Sequence, residues 1–133
     1  MNIQNLMKEL FGHSCLGYVY AFIALNLKTI DAKKLTKAFL SGWFDGYIED
    51  DGFVAKPVGY LNSLGLKCKD ITKVKISKLS ELPDGIYAVE YLQPNGKDSH
   101  FVVANKNGVI FDPSEPSLSV KQNKILSYRK IIV

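Results

Sequence analysis

The chain is expected to fold as an α+β domain, with helices in its first half and a curved antiparallel sheet in its second. Three observations predict this. Before Gly65 the apolar residues recur at helical spacing. After it they fall into short runs of β-branched and aromatic residues. Those runs lie so close in sequence that they pair antiparallel, joined by Asn- and Gly-rich turns. With 47% hydrophobic and 23% charged residues over 133 positions, one packed core is affordable, so a single domain over residues 1–133 is expected.

The first element is a helix over residues 15–27. Leu16, Val19, Tyr20, Phe22, Ile23, Ala24 and Leu27 surround it with apolar side chains, the pattern of a helix buried in the middle of a domain, and Ser14 is a suitable N-cap. A second helix follows Asp31 as cap, with Ala32, Leu35, Ala38, Phe39 and Leu40 in helical spacing up to Gly42. A turn-rich segment, Asp45 to Gly52, comes next. The third helix starts at Lys56-Pro57, where proline is tolerated in a first turn, and stops at Gly65. The strands are expected around Val74 and Ile76, over residues 86–91, 100–104 and 109–111, and over residues 128–133, with hairpin turns at residues 94–97 and 105–108.

Composition excludes several classes of function. The 17 Lys and Arg against 13 Asp and Glu leave +4, but the lysines are scattered, and Arg129 is the single arginine. Nucleic-acid binding is not expected from such a surface. The longest apolar region is broken by Gly17 and Asn26 and is too short to span a bilayer. The N-terminus lacks the basic flank, apolar core and cleavage site of a secretory signal, so a cytoplasmic protein without membrane association is expected. In that compartment a Cys15–Cys68 disulfide is the less favoured use of the two cysteines. The spacing of Cys15, Cys68, His13 and His100 matches no zinc finger or ribbon, and no cofactor or metal is expected.

What remains is one Cys, one His and one Asp in the chain order of a thiol nucleophile, its base and the orienter of that base: Cys15, His100 and Asp112. In the first turn of its helix Cys15 meets unpaired amides and the positive end of the dipole, which favour an anion there and can also donate to an oxyanion. His100 heads a strand whose Phe101 and Val103 point one way and Val102 and Ala104 the other, so cover on both faces of the strand is expected; with Asp98 and Ser99 marking the hairpin end, a half-exposed ring at the strand's rim is expected. Asp112 ends the strand joined to it by a hairpin closed at residues 105–108. Residues near 101 and 112 then come roughly opposite, and Asp112 can fix the tautomer of His100. Taken singly, each has an ordinary alternative: a small buried thiol, a rim histidine, a turn aspartate before Pro113.

The segments Gly12-His13-Ser14-Cys15-Leu16-Gly17-Tyr18-Val19, His100-Phe101-Val102-Val103 and Phe111-Asp112-Pro113 resemble papain-like cysteine peptidases, most nearly the bacteriocin-leader-processing branch. The chain also resembles small prophage-associated proteins of this pattern, including Asp51-Gly52-Phe53-Val54 and a following helix that ends in Leu64-Gly65. The resemblance runs in order along nearly the whole chain. It implies a papain-like fold in which the central helix packs on the sheet, a Cys15 nucleophile, a His100 base and an Asp112 orienter. The implied activity is hydrolysis of an amide bond in a peptide or cell-wall peptide. One departure stands out: where that branch carries an oxyanion-donating Gln just upstream of the Cys, this chain has Lys8, Glu9 and Leu10, with Gln4 further off and His13 as the other donor at hand. A catalytically inactive papain-like binding or structural module is therefore the alternative expectation. The aromatic residues Trp43, Phe44 and Tyr47 beside the Asp45 to Gly52 segment are read first as a core-edge cluster and second as a cleft wall.

Overall fold

The computed structural model describes residues 15–114 and 118–133. The first helix, α1 (Cys15–Ala24), is buried from Gly17 through Phe22, as an apolar surface on every side requires. It stops where Asn26 turns left-handed (φ 52°). Leu27 N then donates to Phe22 O and Asn26 N to Ile23 O, a Schellman closure that satisfies the orphan carbonyls. Ser14, expected to cap this helix, lies outside the described residues.

Helix α2 (Ala32–Phe44) is capped by Asp31, whose side chain accepts from Lys34 N at 3.1 Å, and it runs two residues past the expected stop at Gly42. Two glycines let the helices meet closely. A Cβ on Gly17 would lie 2.7 Å from the Phe39 ring, and one on Gly42 would lie 2.6 Å from Tyr60. In the space so left, Tyr18 stacks on Phe39 at 5.1 Å, and Tyr60 Oη donates to Gly17 O at 2.9 Å. Helix α3 (Pro57–Ser63) has proline in its first turn and is followed by Gly65 at φ 103°.

The second half forms five strands: β1 (Asp70–Lys75), β2 (Tyr87–Leu92), β3 (Ser99–Asn105), β4 (Gly108–Phe111) and β5 (Ile125–Ile132). They make one antiparallel sheet in the order β1-β5-β2-β3-β4. The expected α+β class is thus observed, with α1 lying across β3 and β2 and against α2. Among the boundaries, β1 ends before Ile76 and β5 begins three residues earlier than expected. A 3-10 turn (Leu79–Glu81) and α4 (Leu118–Gln122) were not anticipated, because neither is long enough to leave a period in the sequence.

Both faces of β3 are covered. Phe101 and Val103 join α1 and α2 in one core, while Val102 and Ala104 join Val89, Tyr91 and Tyr128 in a second core behind the sheet. Two irregularities interrupt the ladder. Between β3 and β4 the register runs Ala104↔Val109 and then Val103↔Phe111, leaving Ile110 as an extra residue. Between β2 and β5 it runs Glu90↔Ser127 and then Tyr91↔Ile125, leaving Leu126 extra. Such bulges re-aim the side chains that follow them.

Candidate active site

Three elements converge on His100. It is the second residue of β3, and its ring is 3% exposed, so the half-exposed ring expected from the sequence is corrected to a buried one. The cover expected on both faces of the strand reaches back to its second residue, so the rim falls at Ser99 and not at His100. Asp112 follows β4 and is buried as well, with its Oδ1 2.7 Å from His100 Nε2. Because a carboxylate only accepts, Nε2–H donates and the tautomer is set. The same oxygen accepts from Ser114 N at 2.9 Å, so a local turn holds the carboxylate before the imidazole reaches it.

Cys15 is the first residue of α1, partly buried, a free thiol, and near enough to His100 to influence its ring. With Nε2 committed to Asp112, Nδ1 is the nitrogen left for the thiol. The structure therefore brings together all three residues singled out in the sequence. The electrostatics follow from the packing. Burial works against a charged ring, but the hydrogen bond to Asp112, and after it the contact with Cys15, outweigh burial and push His100 up to about 9. Tyr91 stands opposite His100 in the β2–β3 register. Burial, and then the nearby Asp112 charge, hold its phenol above the ordinary range.

Cys68 is excluded from this constellation. It is buried in the segment between α3 and β1, clasped by Asn62 through its backbone N–H and C=O, and its Sγ points to Asp70 O at 3.4 Å. Burial pushes its thiol up, the opposite of what a nucleophile needs. The candidate oxyanion donors Gln4 and His13 lie outside the described residues, as do Lys8, Glu9 and Leu10.

The aromatic cluster behaves mainly as a core edge. Tyr47 lies over Gly59, Ile48 is buried and pairs with Val54, and Trp43 Nε1 donates to Asp50 at 2.8 Å. Phe44 is exposed. The cavity beside this loop is lined by Trp43, Gly46, Ile48, Glu49, Asp50 and Asp51, and not by Cys15, His100 or Asp112.

One charged residue near the site escaped the sequence reading. Glu90, on β2, is buried, with Ser99 Oγ and Ser127 Oγ each donating to it at 2.6 Å and with Arg129 and Lys73 beside it. Burial opposes its charge, but the two hydroxyls and then the two cations outweigh it and hold the carboxyl below its ordinary range. A lone carboxylate inside the apolar run of residues 86–91 was the signal available.

Among the described residues no helix is long and apolar enough to cross a membrane, and no group of three or more His, Cys, Asp and Glu side chains is placed to hold a metal ion. No curated protein and no solved structure matches the chain. A family match covers residues 2–132, and on it the chain belongs to the family described as Protein of unknown function, DUF261.

Proposed function

We propose that the protein is a papain-like thiol hydrolase, a cysteine peptidase or amidase cleaving an amide bond of a peptide or of cell-wall peptide. The observation that carries this reading is the buried His100–Asp112 pair beside the partly buried Cys15, with His100 Nε2 held at 2.7 Å from Asp112 and its other nitrogen left for the thiol. A ring that stays protonated to about 9 supplies the counter-ion a thiolate nucleophile needs.

In this mechanism His100 takes the Cys15 proton at Nδ1, and the sulfur attacks the carbonyl carbon. The carbonyl electrons move onto oxygen, facing the first-turn amides of α1. The oxyanion collapses, the C–N bond breaks, and His100 returns the proton to the leaving amine. A thioester remains. His100 then takes a proton from water, the hydroxide attacks the thioester, and the carboxylic acid leaves as Cys15 regains its proton. Asp112 keeps its charge throughout and holds the ring.

The test is the iodoacetamide alkylation rate of Cys15 and Cys68, read by peptide mass spectrometry from about pH 4 to 9, against an ordinary thiol that titrates near 8.5. The expected result is fast alkylation of Cys15 in mildly acid solution, lost in His100→Ala, with Cys68 slow in both proteins. Equal profiles for Cys15 in the two proteins would overturn the reading and favour a binding scaffold.

A further inference from the structure

Resting on the hydrolase reading, we propose that Glu90 and Ser99 form a clamp that positions His100, so that the register of the base is set from the strand next to its own. Ser99 immediately precedes His100 and is the first residue of β3, just after the loop of residues 93–98. A strand's first residue frays unless something holds it. Here its hydroxyl donates to Glu90 Oε2 at 2.6 Å and its carbonyl accepts from Gln93 Nε2 at 3.2 Å. Glu90 pairs with Phe101, and Leu92 with Ser99, so the Glu90–Ser99 contact is a diagonal one across the ladder. Successive side chains of a strand alternate, so holding Ser99 to the face that carries Phe101 commits His100 to the other face.

Glu90 is itself fixed before it acts. Ser127, directly opposite on β5, donates to Oε1, and Arg129 NH1 donates to Ser127 Oγ at 2.7 Å while its guanidinium lies 5.0 Å over the Phe101 ring. Lys73 of β1 approaches the same oxygen at 3.6 Å, and Tyr20 of α1 lies close enough to Arg129 to feel its charge. The bulge at Leu126 comes immediately after the Glu90–Ser127 pair. The carboxylate therefore has one arm into the sheet, through Ser127, and one arm to the residue before the base, through Ser99. Glu90 touches no reacting atom and is a positioning residue.

The two arms give the test its control. Removing Glu90 leaves Arg129 without its counter-ion and probes folding, so the variants are Ser99→Ala, Ser127→Ala and the hydroxyl-retaining Ser99→Thr. The readouts are the His100 titration by NMR, assigned with His100→Gln, and the pH profile of Cys15 alkylation by iodoacetamide. Among the described residues, the charged or titratable groups facing His100 are Cys15 from α1, Asp112 from the segment after β4, and Tyr91 from β2. Ser99→Ala is expected to lower the His100 midpoint by about one unit and slow Cys15 alkylation near neutrality about tenfold. Ser127→Ala, which loosens Glu90 but leaves its bond to Ser99, is expected to move both readouts clearly less than Ser99→Ala does, and Ser99→Thr to restore them. Equal effects of Ser99→Ala and Ser127→Ala, or no effect of either, would reduce Glu90 to a support of the sheet. Failure of the hydrolase reading shows separately, as identical Cys15 profiles in wild type and His100→Ala, while the His100 titration still reports on the clamp.

Discussion

Phe111 is paired with Val103, not with Val102, and its ring stacks on Phe22 of α1 at 5.0 Å. A hairpin closed at Asn105 and Gly108 without irregularity sets Phe111 opposite Val102, on the face turned away from the helices. The extra residue Ile110 moves the pairing by one. A one-residue slip exchanges the faces of everything beyond it, so Phe111 enters the core under α1 and Asp112 emerges on the face shared by His100 and Val102. The bulge is thus what brings the carboxylate to the imidazole.

Deletion of Ile110 is expected to undo both arrangements together. Phe111 then leaves its place against Phe22, a loss comparable to truncating a buried phenylalanine, about 3–5 kcal/mol, and Asp112 turns away from His100. Urea unfolding and the His100 NMR titration check this. A deletion variant of native stability with an unchanged His100 midpoint contradicts the role given to the bulge.

The helices and the sheet were legible in the sequence because each rests on a local signal: Asp31 before an apolar period, Pro57 in a first turn, and Asn and Gly at the hairpins; the candidate site was legible as a Cys, a His and an Asp on separate elements. What was not legible depends on contacts between strands. Ile110 looks like any strand residue, and only pairing with β3 reveals it as extra. Cover on both faces of β3 was expected, but how far it reaches toward the head of the strand was not: burial begins at His100 itself, whereas Asp98 and Ser99 suggested a rim there. Glu90 stands in the sequence as a lone carboxylate in an apolar run, and only the pairing of β2 with β3 and β5 brings Ser99 and Ser127 to it.

Substitutions at Asp112 separate holding the ring from charging it. In Asp112→Asn the amide oxygen still accepts from His100 Nε2 and Ser114 N, so the orientation survives, but the negative charge that favours the imidazolium is gone. Asp112→Ala removes both and leaves a buried N–H unsatisfied, at a cost of about 1–3 kcal/mol. Both variants are expected to lower the His100 midpoint, and Cys15 alkylation to slow about tenfold for each unit lost. Only Asp112→Ala is expected to lose appreciable stability. An alanine variant as stable as the asparagine one argues against the hydrogen bond as a structural tie.

The seating of α1 can be tested at Gly17. A methyl group there meets the Phe39 ring at 2.7 to 2.8 Å, and that ring is fixed by its stack on Tyr18. Overpacking of this kind costs about 1–3 kcal/mol. Gly17→Ala is expected to lower the thermal midpoint accordingly, and a shift of α1 also carries Cys15 away from His100 and slows its alkylation. An alanine variant with wild-type stability and reactivity contradicts the close approach.

The His100 ring also makes stability depend on pH, with a sign fixed by its environment. Its value rises from an ordinary 6.5 when unfolded to about 9 when folded, because the bond to Asp112 and the contact with Cys15 outweigh burial. Between those two values the folded state binds more protons than the unfolded one, so stability falls as pH rises. The contribution is fully present below about 6.5 and lost on passing about 9, with a slope of at most about 1.4 kcal/mol per pH unit and a total on the order of 3 kcal/mol. Cys68, whose thiol is raised by burial, adds a fall of the same sign at higher pH, but it does so with or without His100. The quantity to follow is therefore the difference in unfolding free energy between wild type and His100→Gln across this window. That difference is expected to shrink steadily from mildly acid to alkaline pH. Parallel curves for the two proteins mean that Asp112 and Cys15 do not hold the imidazolium, and the relay loses its electrostatic basis.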